Sequence, residues 1–594
     1  MVKKLWYKQK PTLLLTLGSL AGFVVGGAVA WNLLQKRPTL AGMFAGAEVV
    51  PQDAIMTLSF ATDRNQWQQL RRFGTPETQT TLDKNLAQLR DQLLVANGFN
   101  YQRDIQPWVG EQITTAFLMP PNAAKDPQAD RNVQPYDPEA LASGEQSTVM
   151  ILPIADPAKA EQILGQSKVA PAQDAVDRDY KGVTIREVHG QQERAYAAAV
   201  LENRFVAVSN SGRAIEQVID TLKGKPSVAQ TPGYSQALSH IALTDPFLQL
   251  YINIPAANTL TTNNLSQPVP PQLLAPLKPN RGLAAAVALE SEGMRIQGVS
   301  WLAPNSKTRL KVSNNAERMP LLLPNEALLS ITGGDFKQFW QNYTQESADA
   351  ARQGFLNPDT LRQGFANLTG LDFDKDLVNW MNGEFALALI SAPSQGAATT
   401  TPAKSGAVML VQTTDRKAAE ATLQKLDEVM RTRYRFQVTP AEIAGKPVVN
   451  WVSPFTALNI THGWLDGNVV FLAIGSDVAS TILPAPAQPL AENPLYKQTD
   501  ATDLVPRNGQ FFLEVDRLPS ARTNLPLPDL PAENQSLLQA IRSIGLTSAL
   551  QDGRTTRYDL RVLLRKGNSP GALPAPAALN PAPTAEPTPS EPAP

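Results

Sequence analysis

The 594-residue chain has no cysteine and only three histidines, His189, His240 and His462. The first absence excludes disulfides, thiolate metal sites and cysteine nucleophiles. The cores must therefore hold without covalent staples, which a chain this long and 43% hydrophobic can achieve. Charge of one sign is also missing. The formal net charge is −1, so no electrostatic footprint points to nucleic acid, and nucleic acid is not an expected partner. There is no H-E-x-x-H, no phosphate-binding glycine loop, and Gly475-Ser476 lacks the full G-x-S-x-G elbow. No residue is put forward as catalytic, and no cofactor or metal is expected. A site assembled in space leaves no such trace, so an enzyme stays possible but disfavoured.

Long apolar runs are scarce too, with one exception near the start. Lys3, Lys4, Lys8 and Lys10 lie in a basic stretch, 1–11, and an uncharged run of 23 residues follows at 12–34. As a helix it reaches about 35 Å, against a hydrocarbon core of about 30 Å. A secretory leader also begins this way, and Ala28-Val29-Ala30 suits cleavage after Ala30. Trp31, Leu33 and Leu34 extend the run, and Lys36-Arg37 close it, which favours a retained anchor with interfacial residues. Four Lys precede the span and two basic residues follow it, with none again until Arg64. The expected topology is a single pass with the N-terminus cytoplasmic and the bulk of the chain in the periplasm or a thylakoid lumen. Gly18, Gly22, Gly26 and Ala30 recur four apart on one helical face, a small-residue stripe suited to helix packing and self-association.

Beyond the anchor the chain repeats itself. VPQDAIMTLSF (50–60) resembles LPNEALLSITG (323–333), and a shift of 273 pairs Pro51 with Pro324 and Trp67 with Trp340. GFNYQRDIQPWV (98–109) resembles GLDFDKDLVNWM (370–381), each followed by Gly-Glu, Gly110-Glu111 and Gly383-Glu384. Further blocks match in the same order, among them STVMILPIADPAKAEQIL (147–164) with GAVMLVQTTDRKAAEATL (406–423). This order predicts two homologous domains, at 50–306 and 323–567. Inside each copy, apolar strands alternate with amphipathic helices. Leu82, Leu86, Leu89 and Leu93 share a helical face, Asp156 and Asp415 stand at helix N-caps, and hairpins turn near Glu202-Asn203, Glu292-Gly293 and Asp552-Gly553. The expected class is α+β with mainly antiparallel sheets and packed helices. The segment 568–594 is Pro-rich and is expected to be a disordered tail.

An N-terminal anchor, a duplicated strand-helix-helix module and DIQPWVGEQITTAFL (104–118) with DLVNWMNGEFALAL (376–389) together resemble the cyanobacterial membrane-anchored proteins of domain of unknown function 3352. The first copy lacks a second glycine before Glu111, and the second has Asn379 where the family often has proline. The resemblance implies an extracytoplasmic or lumenal membrane-associated protein and no activity.

Asp372, Asp374 and Asp376 have the alternate spacing of a calcium loop, yet Leu377 stands where the loop needs Gly and Gly383 where it needs a bidentate acid. Helix capping is the preferred reading. Trp67, Trp340, Trp108 and Trp380 are expected to anchor cores rather than line a ligand pocket. Glu111 and Glu384 are expected in surface turns rather than as acid or base. The functional expectation is a non-enzymatic, membrane-tethered interaction or scaffold protein. Its expected partners are the lipid bilayer, membrane or envelope proteins, and other copies of itself through the anchor helix. A carrier of lipid or another apolar ligand, and a hydrolase with a site between the copies, are the alternatives.

Overall fold

The computed structural model describes residues 42–93, 100–119, 147–165, 175–188, 196–262, 277–307, 309–310, 313, 315–346, 357–391, 405–455, 458–475, 477–518 and 538–575. The expected span at 12–34, with Gly18, Gly22, Gly26 and Ala30, lies outside the described residues. Among those described, no helix is long and apolar enough to cross a membrane.

Mixed helix and antiparallel sheet is what the chain forms. In the first repeat the strands are β1 (Met56–Ala61), β2 (Gln112–Phe117), β3 (Thr148–Pro153), β4 (Ala175–Tyr180), β5 (Val183–Val188), β6 (Tyr196–Leu201), β7 (Phe205–Ser209), β8 (Leu248–Asn253), β9 (Asn280–Glu290) and β10 (Gly293–Leu302). In the second they are β11 (Ala327–Gly333), β12 (Phe385–Ser391), β13 (Ser405–Gln412), β14 (Gln437–Ile443), β15 (Lys446–Val452), β16 (Asn459–Leu465), β17 (Val469–Ile474), β18 (Gly509–Glu514), β19 (Ile541–Leu550) and β20 (Thr555–Leu564). Pairing gives the order β4-β5-β6-β7-β3-β2-β1-β8-β9-β10 in the first repeat. The second repeat has the same order, β14-β15-β16-β17-β13-β12-β11-β18-β19-β20. The boundary expected between 306 and 323 does not interrupt the sheet. β10 pairs antiparallel with β20, from Gly293–Leu563 to Trp301–Thr555, and among the described residues twenty strands form one sheet.

Local chemistry explains the elements. Period-two alternation sends Met56, Leu58 and Phe60 of β1 to one face, where they pack with Trp67 and Leu86. On the other face Thr114 of β2 donates to Ser59 at 2.9 Å, and Ala116 enters a separate core with Ile151, Ile215 and Trp301. The sheet is thus covered on both sides, and β1 is buried along its whole length. Leu86 is buried in helix α1 (Pro76–Leu93), with Leu82 and Leu89 packed against the same core, as their spacing predicts. Helix α2 (Pro157–Gly165) begins where Asp156 accepts from Lys159 N at 3.1 Å. In the second repeat, helices α3 (Phe336–Glu346) and α4 (Pro358–Thr369) precede helix α5 (Arg416–Thr432), which begins where Asp415 accepts from Ala418 N at 3.0 Å. Both caps are those expected from the sequence.

The two outer hairpins carry the same turn. Lys181-Gly182 joins β4 to β5 with φ of 50° and 78°, and Ala444-Gly445 joins β14 to β15 with φ of 51° and 78°. Two successive positive φ values define the tight turn whose twist matches flanking strands, and glycine adopts the second without penalty. The edge strands resist further pairing in different ways. β4 carries Asp177, Arg178 and Asp179, while β14 carries Pro440, which has no amide hydrogen to donate.

The Pro-rich segment begins against the first repeat. Gly567 N donates to Arg72 O at 2.7 Å, Gln79 Nε2 to Asn568 O at 2.9 Å, and Arg71 Nη2 to Gly571 O at 2.8 Å. Leu573 packs on the core around Trp67. Residues 568–575 therefore strap the end of the second repeat onto the first. Residues 576–594 lie outside the described ones.

Candidate functional site

The repeated Asp-x-x-x-Trp segment builds the same small device twice. A single π-helical turn spans Tyr101–Ile105 in one repeat and Phe373–Leu377 in the other. Asn100 accepts from Arg103 N at 3.1 Å, and Asp372 from Lys375 N at 2.8 Å. Asp104 reaches back to Asn100 N at 2.7 Å, and Asp376 to Asp372 N at 2.9 Å. The tryptophan four residues on donates its indole N–H to the acid's own carbonyl, Trp108 to Asp104 at 2.7 Å and Trp380 to Asp376 at 3.0 Å. Two side chains, Asn100 with Asp104 or Asp372 with Asp376, and one ring thus satisfy the free backbone groups of one turn. Hydrogen bonds to backbone N–H hold the Asp372 carboxyl below its ordinary pKa, with Lys375 adding to the effect. The Asp376 carboxyl is lowered first by the Asp372 amide and then by Lys425.

Asp374, between them, belongs to another set: it accepts from Trp340 Nε1 at 2.5 Å and from Arg362 Nε at 2.7 Å. The alternating acids therefore serve three separate sets of donors. Among the described residues no group of three or more His, Asp or Glu is arranged to hold a metal ion. The four repeated tryptophans are buried, and Trp67 is fully so, as core anchors should be.

Glu111 is exposed at the head of β2. Glu384 corrects the surface-turn expectation. It is half-buried, and its carboxylate accepts from Arg318 N at 2.7 Å and Glu317 N at 3.0 Å. It anchors the chain where that chain enters the second repeat. Burial raises its pKa, opposed by the amides of Arg318, Glu317 and Met319. Its donors are backbone amides, and the geometry is that of a cap.

A further buried polar centre lies at the junction of the repeats. The β10–β20 pairing centres on Gln297 and Asp559. Asp559, 2% exposed, accepts from Arg295 at 2.6 Å and 2.9 Å, from Gln297 at 3.1 Å and from Arg561 at 3.5 Å. Arg295 also reaches Asp503 at 2.6 Å. Burial opposes the Arg295 charge, but its bonds to Asp559 and Asp503 outweigh that and raise its pKa. Burial likewise opposes ionisation of Asp503, and Arg295 more than offsets it, so its pKa falls. Sequence reasoning missed this cluster, because its members are distant in the chain.

His462 of β16 is buried and pairs through Nε2 with Asp427 Oδ1 at 2.8 Å, while Trp451 Nε1 donates to the same oxygen at 2.6 Å. This triplet pins β15 and β16 to α5. Two shallow grooves adjoin across Lys375 and Asn379. One, of about 410 Å³, is lined by Lys337, Trp340, Arg362 and Asp374. The other, of about 300 Å³, is lined by Asp376, Asn382, Asp415 and Lys425.

The family described as "Protein of unknown function (DUF3352)" matches residues 14–564. No curated protein matches the chain. Among solved structures, "Structure of crystal form III of TP0453" is 11% identical with a TM-score of 0.22, covering 44% of this chain and 80% of that one. "Structure of crystal form IV of TP0453" is 11% identical with a TM-score of 0.23, covering 45% and 84%.

Proposed function

The chain belongs to the DUF3352 family, and from that premise we propose a non-enzymatic, membrane-tethered scaffold whose two repeat domains face the periplasm or thylakoid lumen of a cyanobacterium. The observation that carries the reading is the shared sheet. Two repeats of one strand order pair edge to edge through β10 and β20, around a buried ion cluster, and the chain end straps back across the join. Such a joint holds both repeats in one orientation, as a platform for other proteins requires. The polar residues that recur between the copies are engaged in capping and packing, which suits a structural body better than a reacting centre. Both grooves are open and set charged and amide groups beside Trp340, Val378 and Trp380, whereas a lipid carrier needs an enclosed apolar cavity. In this reading the stretch 12–34 stays in the bilayer, and Gly18, Gly22, Gly26 and Ala30 form its packing face.

Affinity purification of the intact protein from native membranes tests the proposal. Co-recovery of a defined set of membrane or envelope proteins is expected. Recovery of the chain alone, under conditions that preserve known complexes, overturns it.

A further inference from the structure

The stretch that follows β20 lies on the first repeat as a ligand lies in a peptide groove. Gly74 N donates to Arg565 O at 2.7 Å and Gly567 N to Arg72 O at 2.7 Å, around an antiparallel bridge of Phe73 with Lys566. The chain beyond is held at three points. Gln79, in the first turn of α1, donates through Nε2 to Asn568 O at 2.9 Å and accepts through Oε1 from Asn568 N at 3.0 Å. One side-chain amide thus reads both backbone groups of one residue. The Arg71 guanidinium is set by two bonds to Asp83, at 2.7 Å and 2.9 Å, and from that position donates to Gly571 O at 2.8 Å. Leu573 packs on the core around Trp67, as Leu82 and Leu89 of α1 do.

This slot reads backbone groups and one apolar side chain, which is how extended peptides are recognised. Asn568, Ser569, Gly571, Ala572, Pro574 and Ala575 are exposed, so most strap side chains contribute little. A Cβ at Gly571 would meet nothing within 4 Å, and a side chain therefore fits there. Among the described residues the slot takes one N–H from 568–575, that of Asn568. Prolines at 570 and 574 therefore cost no hydrogen bond, and they favour the extended chain the slot needs. β20 ends at Leu564, so lifting the chain from 568 onward breaks no strand pairing of the sheet. The fold does not demand the clamp: a shift of 273 puts Thr344 where Arg71 stands, so the second repeat does not rebuild it.

We propose that 568–575 is an intramolecular ligand in a peptide-binding slot of the first repeat, and that it exchanges there with an extended, proline-containing segment of another protein that carries a leucine anchor. Covalent attachment gives the strap a high effective concentration, so it holds the slot against weak ligands. This rests on the scaffold reading and gives it a partner chemistry. The probe is a fluorescein-labelled peptide of the strap's own sequence, NSPGALPA, read by fluorescence polarisation with the full-length protein in detergent. Leu573→Asp withdraws the strap's anchor from the apolar core. That variant should bind the peptide at least ten-fold more tightly than the unaltered chain does, with circular dichroism unchanged. Adding Gln79→Ala to it should abolish binding, and a peptide with aspartate in the leucine position should not bind. Absence of binding to Leu573→Asp overturns the proposal. So does equal binding by the unaltered chain, or binding that Gln79→Ala leaves intact. Affinity purification of Leu573→Asp from native membranes reads the scaffold separately. If the peptide binds but no protein is co-recovered, the scaffold reading fails and the slot stands.

Discussion

At the scale of single residues, the structure turns on a few groups removed from water. Asp559 and Arg295 are the clearest. Removing one partner of a buried pair leaves a charge without its compensation, and Asp559→Ala should cost about 3 kcal/mol or more. Faster hydrogen exchange of the β10 and β20 amides would report it. Replacing both partners with Asp559→Leu and Arg295→Met should restore most of the protection, because desolvation is then no longer needed. Glu384 gives a pH signature. Its folded pKa lies above the ordinary 4.5, so the native state holds the proton to higher pH than the unfolded chain does. That contribution to stability is fully present below the unfolded pKa and is lost as pH rises through the folded one. Glu384→Gln, which keeps an acceptor for Arg318 N, should flatten this dependence and cost nothing at neutral pH. Glu384→Ala should cost about 1–3 kcal/mol by orphaning two amides. Thermal unfolding of the three proteins across pH 4–7, with about that window set by the carboxylate reference value, checks both.

At the scale of elements, β10 and β20 decide whether there is one sheet or two. Gly293 opens β10 at φ 155°, and a Cβ there would lie 2.0 Å from Val562 O across the joint. Gly293→Ala should therefore loosen the β10–β20 ladder and expose the linker at 307–318 to protease. An unchanged cleavage rate would show that the ladder does not hold the repeats together. This is also the scale at which sequence reading was uneven. Strands β1, β2 and β3, the α1 stripe and the Asp156 and Asp415 caps were legible, since period and capping chemistry are local. The β9–β10 hairpin was legible from its glycine. β4 and β14 were not, because AVDRDY and QVTPAEI are polar edge strands without the alternation of a half-buried strand. The acids of 372–376 have ligand spacing but read as helix caps, and the backbone amides facing them show that capping in a reciprocal form the sequence does not spell out. Glu384 misled in the other direction: a Gly-Glu before a strand reads as a turn, whereas its partners lie 66 and 67 residues away.

At the scale of the molecule, the two halves of like strand order form one joined sheet rather than beads on a string. Nothing in the periodicity of either copy announces that their last strands pair, or that residues 568–571 return to Arg71 and Gln79. Such contacts depend on two surfaces meeting and leave no local pattern. The joint holds the two repeats in one orientation, and the proposed anchor ties that body to lipid. Cytoplasm-side-out sealed vesicles, treated with protease and probed for the repeats, test this account most directly. The body, 50–567, is expected to survive until detergent opens the vesicle, and the protected polypeptide to carry the stretch 12–34 still. Digestion of the body in sealed vesicles, or a native N-terminus at Trp31, would contradict it.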